Sequence, residues 1–147
     1  MEPPEQAKDW GIAVVRLGVG LTFFLHGWQK VFQSGFPGVT AAFGQMGAPL
    51  PEVTGLLVSV LELVGGAALM VGLFTRLISI PLAIDMAAAI LIAVLPAKGN
   101  SAPLAFELEL LLFMGAVAMI IGGPGVASID RLVSSMRSRA GFAEGRS

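Results

Sequence analysis

The chain has 147 residues, of which 55% are hydrophobic and 13% are charged, and its mean hydropathy is +0.83. Because about a quarter of the residues of a soluble domain are charged, this composition excludes a soluble enzyme and indicates an integral membrane protein. The formal net charge is only −1 and no long basic run is present, which excludes a nucleic-acid binder and makes the lipid bilayer the expected partner.

Four apolar stretches are long enough to cross a bilayer, where a helical span takes about 20 residues. They are predicted at about residues 11–32, 53–74, 77–95 and 103–121. We therefore expect an all-α, four-helix transmembrane bundle in which residues 1–147 form a single membrane domain. A tail over residues 126–147 follows the last span.

A short additional helix is predicted between the first two spans, over residues 37–47. Val39, Ala42, Phe43 and Met46 recur there at helical spacing, and Pro37 suits the start of a helix. Such a short amphipathic segment is expected to lie on the outer membrane surface.

Basic residues predict the orientation, because positive charge near the ends of spans is retained on the cytoplasmic side. One set of alternate loops holds Lys8, Arg16, Arg76, Arg131, Arg137, Arg139 and Arg146, whereas the other set holds Lys30 and Lys98. Both termini are therefore predicted to be cytoplasmic.

Thiol chemistry is excluded, because the chain contains no Cys and cannot itself exchange disulfides or hold an iron–sulfur cluster. A single His is present, which excludes a His-rich metal site. We predict no metal centre.

Ionisable residues inside the spans are the candidates for a functional site, because each costs about 2.5–3.5 kcal/mol to insert and so points toward a partner or water. The candidate ligand-binding residues are Arg16, His26, Lys30, Glu62, Asp85 and Glu107. The first three fall within about 80° on one helix, so a single face can present them all. Glu107 and Glu109 lie about 200° apart, so only one of them can face inward.

Two interpretations of this cluster stay open at the level of sequence. In the first, the cluster forms buried ion pairs that only fix the helix register; its members are Glu62, Asp85, Glu107, His26 and Lys30. In the second, the cluster lines a pocket with Trp28, Phe32 and Phe106 that suits a flat amphipathic ligand such as a quinone head group, or it forms a proton path. In either interpretation Glu62 is expected to pair with Lys30, His26 or Arg16. Arg16 has a further alternative, since its long side chain can reach the cytoplasmic surface and serve only as a topology signal.

Several strings of residues, in this order, resemble the DoxX family of small bacterial membrane proteins. They are Arg16-Leu17 with Gly20, Phe24, His26-Gly27 and Lys30; Gly47-Ala48-Pro49-Leu50-Pro51; Glu62-Leu63-Val64-Gly65-Gly66 with Gly72-Leu73-Phe74-Thr75-Arg76; Phe106-Glu107; and Gly123-Pro124-Gly125-Val126-Ala127-Ser128-Ile129-Asp130. The resemblance covers about residues 16–132. Ala127 departs from the pattern, because an aromatic residue often stands there.

The resemblance implies a four-helix protein of the bacterial inner membrane. Some relatives are associated with thiosulfate:quinone oxidoreductase, and others with assemblies that contain soluble thiol and superoxide-handling enzymes. For this chain it implies a membrane subunit of a quinone-linked or oxidative-stress redox system, with quinone as ligand and a soluble or membrane redox partner. The alternatives are a non-catalytic scaffold that recruits a soluble redox enzyme, and a small proton or solute transporter. A homo-oligomer is compatible with all three.

Overall fold

A computed structural model of the protein describes residues 5–94 and 106–144, and these residues form helices and turns with no strand among them. Helix α1 (Glu5–Trp28) runs into a first π-helix (Gln29–Ser34), which is followed by α2 (Gly35–Gln45) and α3 (Pro51–Val71). Helix α4 (Thr75–Ala88) continues as a second π-helix (Ala89–Val94), and α5 (Glu107–Gly122) and α6 (Ile129–Glu144) complete the described chain. The predicted all-helical fold class is confirmed.

Three helical stretches of the described chain are long and apolar enough to cross a membrane. They are Ala7–Gln45, Pro51–Val71 and Thr75–Ile92. Helix α5 has 16 residues, and the start of the predicted fourth span, the end of the third, and the loop predicted between them lie outside the described residues. The fourth crossing therefore stays a prediction.

The short helix predicted at residues 37–47 is present as α2, beginning two residues earlier, at Gly35. Gly35 has a φ of 67°, a conformation that glycine adopts at little cost, and it breaks the helical path of the first π-helix. Val39 on α2 is buried against Gly55 of α3. Helix α2 thus packs on the start of α3.

Glycine residues bring α1 and α3 into close contact. A Cβ added at Gly27 would overlap the backbone of Leu63, and one added at Gly66 would overlap the backbone of Phe24. Small residues allow such close approach between helices in a membrane, where packing rather than water exclusion drives helix association.

The core of the bundle combines side chains from α1, α3, α4 and α5. It contains Val19, Phe23, Leu69, Leu82, Met86, Leu112 and Met119. The outward faces are also apolar, with residues such as Leu57, Ile84 and Leu111 each more than 60% exposed. An apolar surface of this kind suits contact with lipid rather than water.

The turn between α3 and α4 is fastened to the start of α6. The Asp130 carboxylate accepts hydrogen bonds from the backbone N–H groups of Phe74, at 2.7 Å, and Thr75, at 2.8 Å. The Asp130 N–H in turn donates to the Gly72 carbonyl at 3.0 Å. Asp130 therefore satisfies free donors at the start of α4, as an N-cap side chain does.

Candidate functional site

Arg16 lies far from the other candidate residues. Its guanidinium donates to the backbone carbonyls of Pro124, at 2.7 Å, and Ala127, at 2.9 Å, and the residue is only 1% exposed. Fourteen residues separate it from Lys30, which corresponds to about 21 Å along a helix. Arg16 thus fastens the turn before α6 to α1, and it does not reach out to the surface.

The remaining charged groups meet at the other end of the bundle, around a cavity of about 790 Å³. The cavity lies between α1 with its π-helix, α2, α3, α4 with its π-helix, and α5. Its charged or titratable lining residues are His26, Lys30, Glu62, Asp85 and Glu109. Four of the five helices that enclose it contribute at least one such group.

Lys30 and Glu62 form an ion pair between the first π-helix and α3. The Lys30 Nζ donates to Glu62 Oε2 at 2.5 Å, with side-chain exposures of 28% for Lys30 and 1% for Glu62. The same Nζ lies 5.9 Å from the centroid of the Phe43 ring, within the range of a cation–π interaction. Of the three cations considered for Glu62, the structure pairs it with Lys30.

Asp85 adds a second carboxyl group beside this pair. It lies within electrostatic range of Glu62 and Lys30, and its Oδ2 is buried with no hydrogen-bond partner among the described residues. Since a buried acceptor without a partner is costly, this oxygen favours a nearby donor, which can be a proton shared with the Glu62 carboxyl or a ligand.

Glu109, rather than Glu107, lines the cavity. Glu109 is half-buried, whereas Glu107 is exposed and is not among the described lining residues. Glu109 shares a helix face with Leu112, three residues later, which is buried and also lines the cavity. The packing of that face against the bundle turns Glu109 inward and leaves Glu107 outside.

The apolar wall differs from the sequence prediction. The rings of Trp28 and Phe32 contact each other in a tilted arrangement, with centroids 4.2 Å apart. The two residues are 44% and 60% exposed and are not among the residues that line the cavity. The prediction that they line it is wrong, because each lies two residues from Lys30 and so on roughly the opposite side of the helix. Phe106 is also absent from the described lining; the wall instead includes Phe43, Met46, Met86, Ile92 and Leu112.

Both π-helices contribute to the cavity, which the sequence did not indicate. The first provides Gln29, Lys30 and Ser34, and the second provides Ala89 and Ile92. Short π-helical turns occur frequently at functional sites. Two of them facing one cavity mark this end of the bundle as the candidate site.

Metal ligation has no support from the described geometry. Within residues 5–94 and 106–144, no group of three or more His, Cys, Asp or Glu side chains is arranged to hold a metal ion. The titratable groups around the apolar space of the site are one ammonium group, one imidazole and three carboxyl groups.

The chain is similar to several known proteins. The sequence model of the DoxX family matches residues 11–95. An uncharacterized membrane protein of Mycobacterium tuberculosis is 31% identical over 88% of this chain and 85% of its own length. A Bacillus subtilis protein named "Putative oxidoreductase CatD" is 30% identical over 84% of this chain and 87% of its own length. The Escherichia coli inner membrane protein YqjF is 32% identical over 88% of this chain and 97% of its own length. No solved structure matches the chain significantly.

Proposed function

Since the chain belongs to the DoxX family of membrane proteins, we propose that it is a membrane subunit of a quinone-linked redox system whose cavity binds the quinone head group. The name of the Bacillus subtilis relative supports an oxidoreductase system. The name of the Escherichia coli relative supports location in the bacterial inner membrane, and the basic residues favour cytoplasmic termini.

The observation that carries this proposal is the cavity itself. Its volume of about 790 Å³ lies within the roughly 300–1,000 Å³ typical of ligand pockets, which combine apolar walls with a few convergent polar groups. Here the walls are mainly aliphatic and Met side chains, and the polar groups are Lys30, Glu62, Asp85, Glu109 and His26. A flat ring with oxygen atoms at its edge suits such a cavity, because the ring can contact the apolar walls while its oxygen atoms contact the polar groups.

Each charged group has a distinct task in this proposal. Glu62 uses one carboxylate oxygen to hold Lys30, and the other two N–H bonds of the ammonium remain available for a ligand oxygen. Asp85 and Glu109 lie in the same lining and can hold or exchange protons beside the ligand. The apolar walls exclude water from the ring.

The electrons must come from a partner. A bound quinone takes up two electrons and two protons to give a hydroquinone, and this chain has no Cys to supply the electrons. We assign their source to a dithiol of a partner protein, which releases two electrons and two protons as it becomes a disulfide.

Ligand analysis tests the proposal directly. Protein purified in mild detergent should carry quinone detectable by mass spectrometry, and it should bind an added short-chain quinone in equilibrium dialysis. Glu62→Gln should weaken this binding at least tenfold, whereas Glu52→Gln, an exposed position on the same helix, should bind as the wild type does. Absence of both copurified and added quinone from folded wild-type protein would overturn the proposal.

A second candidate is a non-catalytic scaffold that recruits a soluble redox enzyme. The observation in its favour is that α6 begins at a fixed position, held by Asp130, while Leu132 and Met136 on it are 59% and 53% exposed. In this case the Lys30–Glu62 pair serves only to fix the helix register. Stable pull-down of a soluble enzyme by the Glu62→Gln variant, together with no quinone in the wild type, would favour the scaffold.

A further inference from the structure

The polar lining of the cavity contains more hydrogen-bond acceptors than available donors. Three carboxyl groups, from Glu62, Asp85 and Glu109, can accept about twelve hydrogen bonds, whereas the side-chain donors in the same lining, from Lys30, His26, Gln29 and Ser34, can make about seven. One N–H of Lys30 is already used by Glu62. Asp85 Oδ2 and the Glu109 carboxylate receive no hydrogen bond from the described residues.

Sharing a proton between two of the carboxyls does not remove this excess. Asp85 and Glu62 are close enough for their side chains to hydrogen-bond to each other. A proton held between them still leaves one Asp85 oxygen as an acceptor, and Glu109 remains a third carboxyl group in the lining. In both arrangements at least one carboxyl oxygen can accept a hydrogen bond from a ligand.

The oxidised and reduced forms of a quinone differ in whether their oxygen atoms can donate hydrogen bonds. Each oxygen of the oxidised form is a carbonyl, which only accepts hydrogen bonds, whereas each oxygen of the hydroquinone is a hydroxyl, which both accepts and donates. A hydroxyl can accept from the Lys30 ammonium and donate to Asp85 or Glu109. A carbonyl placed there satisfies Lys30 but leaves the carboxyl acceptor desolvated and unpaired.

We propose that the cavity binds the hydroquinone form of its ligand at least tenfold more tightly than the quinone form. This inference rests on the proposed function. It assigns Asp85 and Glu109 as the acceptors of the hydroquinone hydroxyl groups, with Lys30 as the donor.

Tighter binding of the reduced form changes the redox chemistry of the bound ligand. For a two-electron couple, a tenfold ratio of the two dissociation constants raises the reduction potential by about 30 mV. The bound quinone is thus a stronger electron acceptor than quinone in the bilayer, which favours electron transfer from a dithiol.

The test compares dissociation constants of a short-chain quinone and its hydroquinone, measured anaerobically by equilibrium dialysis with the full chain in detergent. The hydroquinone should bind at least tenfold more tightly. Asp85→Asn should bring the two values within about threefold, because an amide can donate to a carbonyl. Glu109→Gln should also lower the ratio of the quinone dissociation constant to the hydroquinone dissociation constant. Glu107→Gln, at an exposed position on the same helix, should leave this ratio unchanged.

The outcomes separate this inference from the proposed function. Equal binding of the two forms, or tighter binding of the quinone, overturns the inference and leaves the proposed function standing. Binding of neither form by folded wild-type protein overturns both. A ratio that persists in both the Asp85 and Glu109 variants, each verified as folded by its melting temperature, overturns the assignment of the acceptors.

Discussion

Lys30 and Glu62 form an ion pair in the lining of the cavity. Glu62 is 1% exposed, whereas Lys30 is 28% exposed, so the carboxylate depends on Lys30 more than Lys30 depends on it. A buried charge without its partner is strongly destabilising, even where the intact pair contributes little net stability. Removal of one partner is therefore expected to cost more stability than removal of both.

Replacing Glu62 by Gln should lower the free energy of unfolding by about 2 kcal/mol, less than a fully buried pair would lose because Lys30 is partly exposed. The melting temperature in detergent measures this loss. Replacing Lys30 by Met in the same background should restore part of it, since no unpaired ammonium would then remain. A double variant less stable than the Glu62→Gln protein would contradict the pairing as the source of the effect.

The contacts of Arg16 with the turn before α6 can also be tested by a single substitution. It uses two different nitrogens to bind the carbonyls of Pro124 and Ala127, and the shorter lysine side chain carries one compact ammonium rather than a planar fork. Arg16→Lys should therefore destabilise the turn before α6 by roughly 1–3 kcal/mol.

Limited proteolysis measures this change, because a loosened turn exposes the chain after Gly123 to cleavage. Quinone binding should stay as in the wild type, since Arg16 is remote from the cavity. Unchanged protection from the protease in the Arg16→Lys protein would show that the two carbonyl contacts do not hold the turn.

At the level of helices, the glycine contacts set the distance between α1 and α3. Gly27→Ala should lower the melting temperature, because its Cβ would overlap the backbone of Leu63 and overpacking of this kind costs about 1–3 kcal/mol. Gly18→Ala, on the same helix with nothing within 4 Å of the added Cβ, should be neutral or stabilising, because Ala favours helix by about 1 kcal/mol over Gly. Equal effects of the two variants would refute a packing role for Gly27.

Much of the helical arrangement could be predicted from the sequence. Continuous apolar runs located the helices, and the spacing of Val39 and Phe43 located α2 between two of them. The depth of Glu62 in its apolar run indicated that it needs a partner, and Lys30 is that partner. These features follow from local periodicity and from the cost of burying a charge, both of which can be read from sequence.

The features of the fold and of the candidate site that could not be predicted from the sequence depend on contacts between helices. Helix α5 is apolar on all sides, so periodicity could not tell whether Glu107 or Glu109 faces the bundle. The two π-helices change the rotation of their helices without any change in composition. The Arg16 contacts join residues more than 100 positions apart, and no local pattern indicates them.

At the scale of the whole molecule, two polar centres lie at opposite ends of the bundle. The cavity with Lys30 and Glu62 occupies one end. The other end contains the contacts of Arg16 and Asp130, together with an ion pair between Asp9 and Arg131 at 2.5 Å. The Val126 N–H also donates to the Asp9 carbonyl at 3.4 Å, so the start of α1 and the start of α6 lie side by side.

This adjacency predicts the number of membrane crossings. If the chain enters and leaves the bundle at the same end, it crosses the membrane an even number of times. Three described stretches are long enough to span, and α5 packs against α1 and α4 beside them. We therefore expect α5 to belong to the fourth crossing, and from the basic residues near both termini we expect the shared end to be cytoplasmic.

Single cysteines test this topology cleanly, because the chain has no Cys of its own. A Cys in place of Ser34, at the cavity end of the bundle, should react with a membrane-impermeant maleimide added to intact spheroplasts. A Cys in place of Ser138, beyond the start of α6, should react only after permeabilisation, because the excess of Arg and Lys keeps that end inside. The opposite labelling pattern would reverse the orientation, and labelling of both positions from the same side would contradict four crossings.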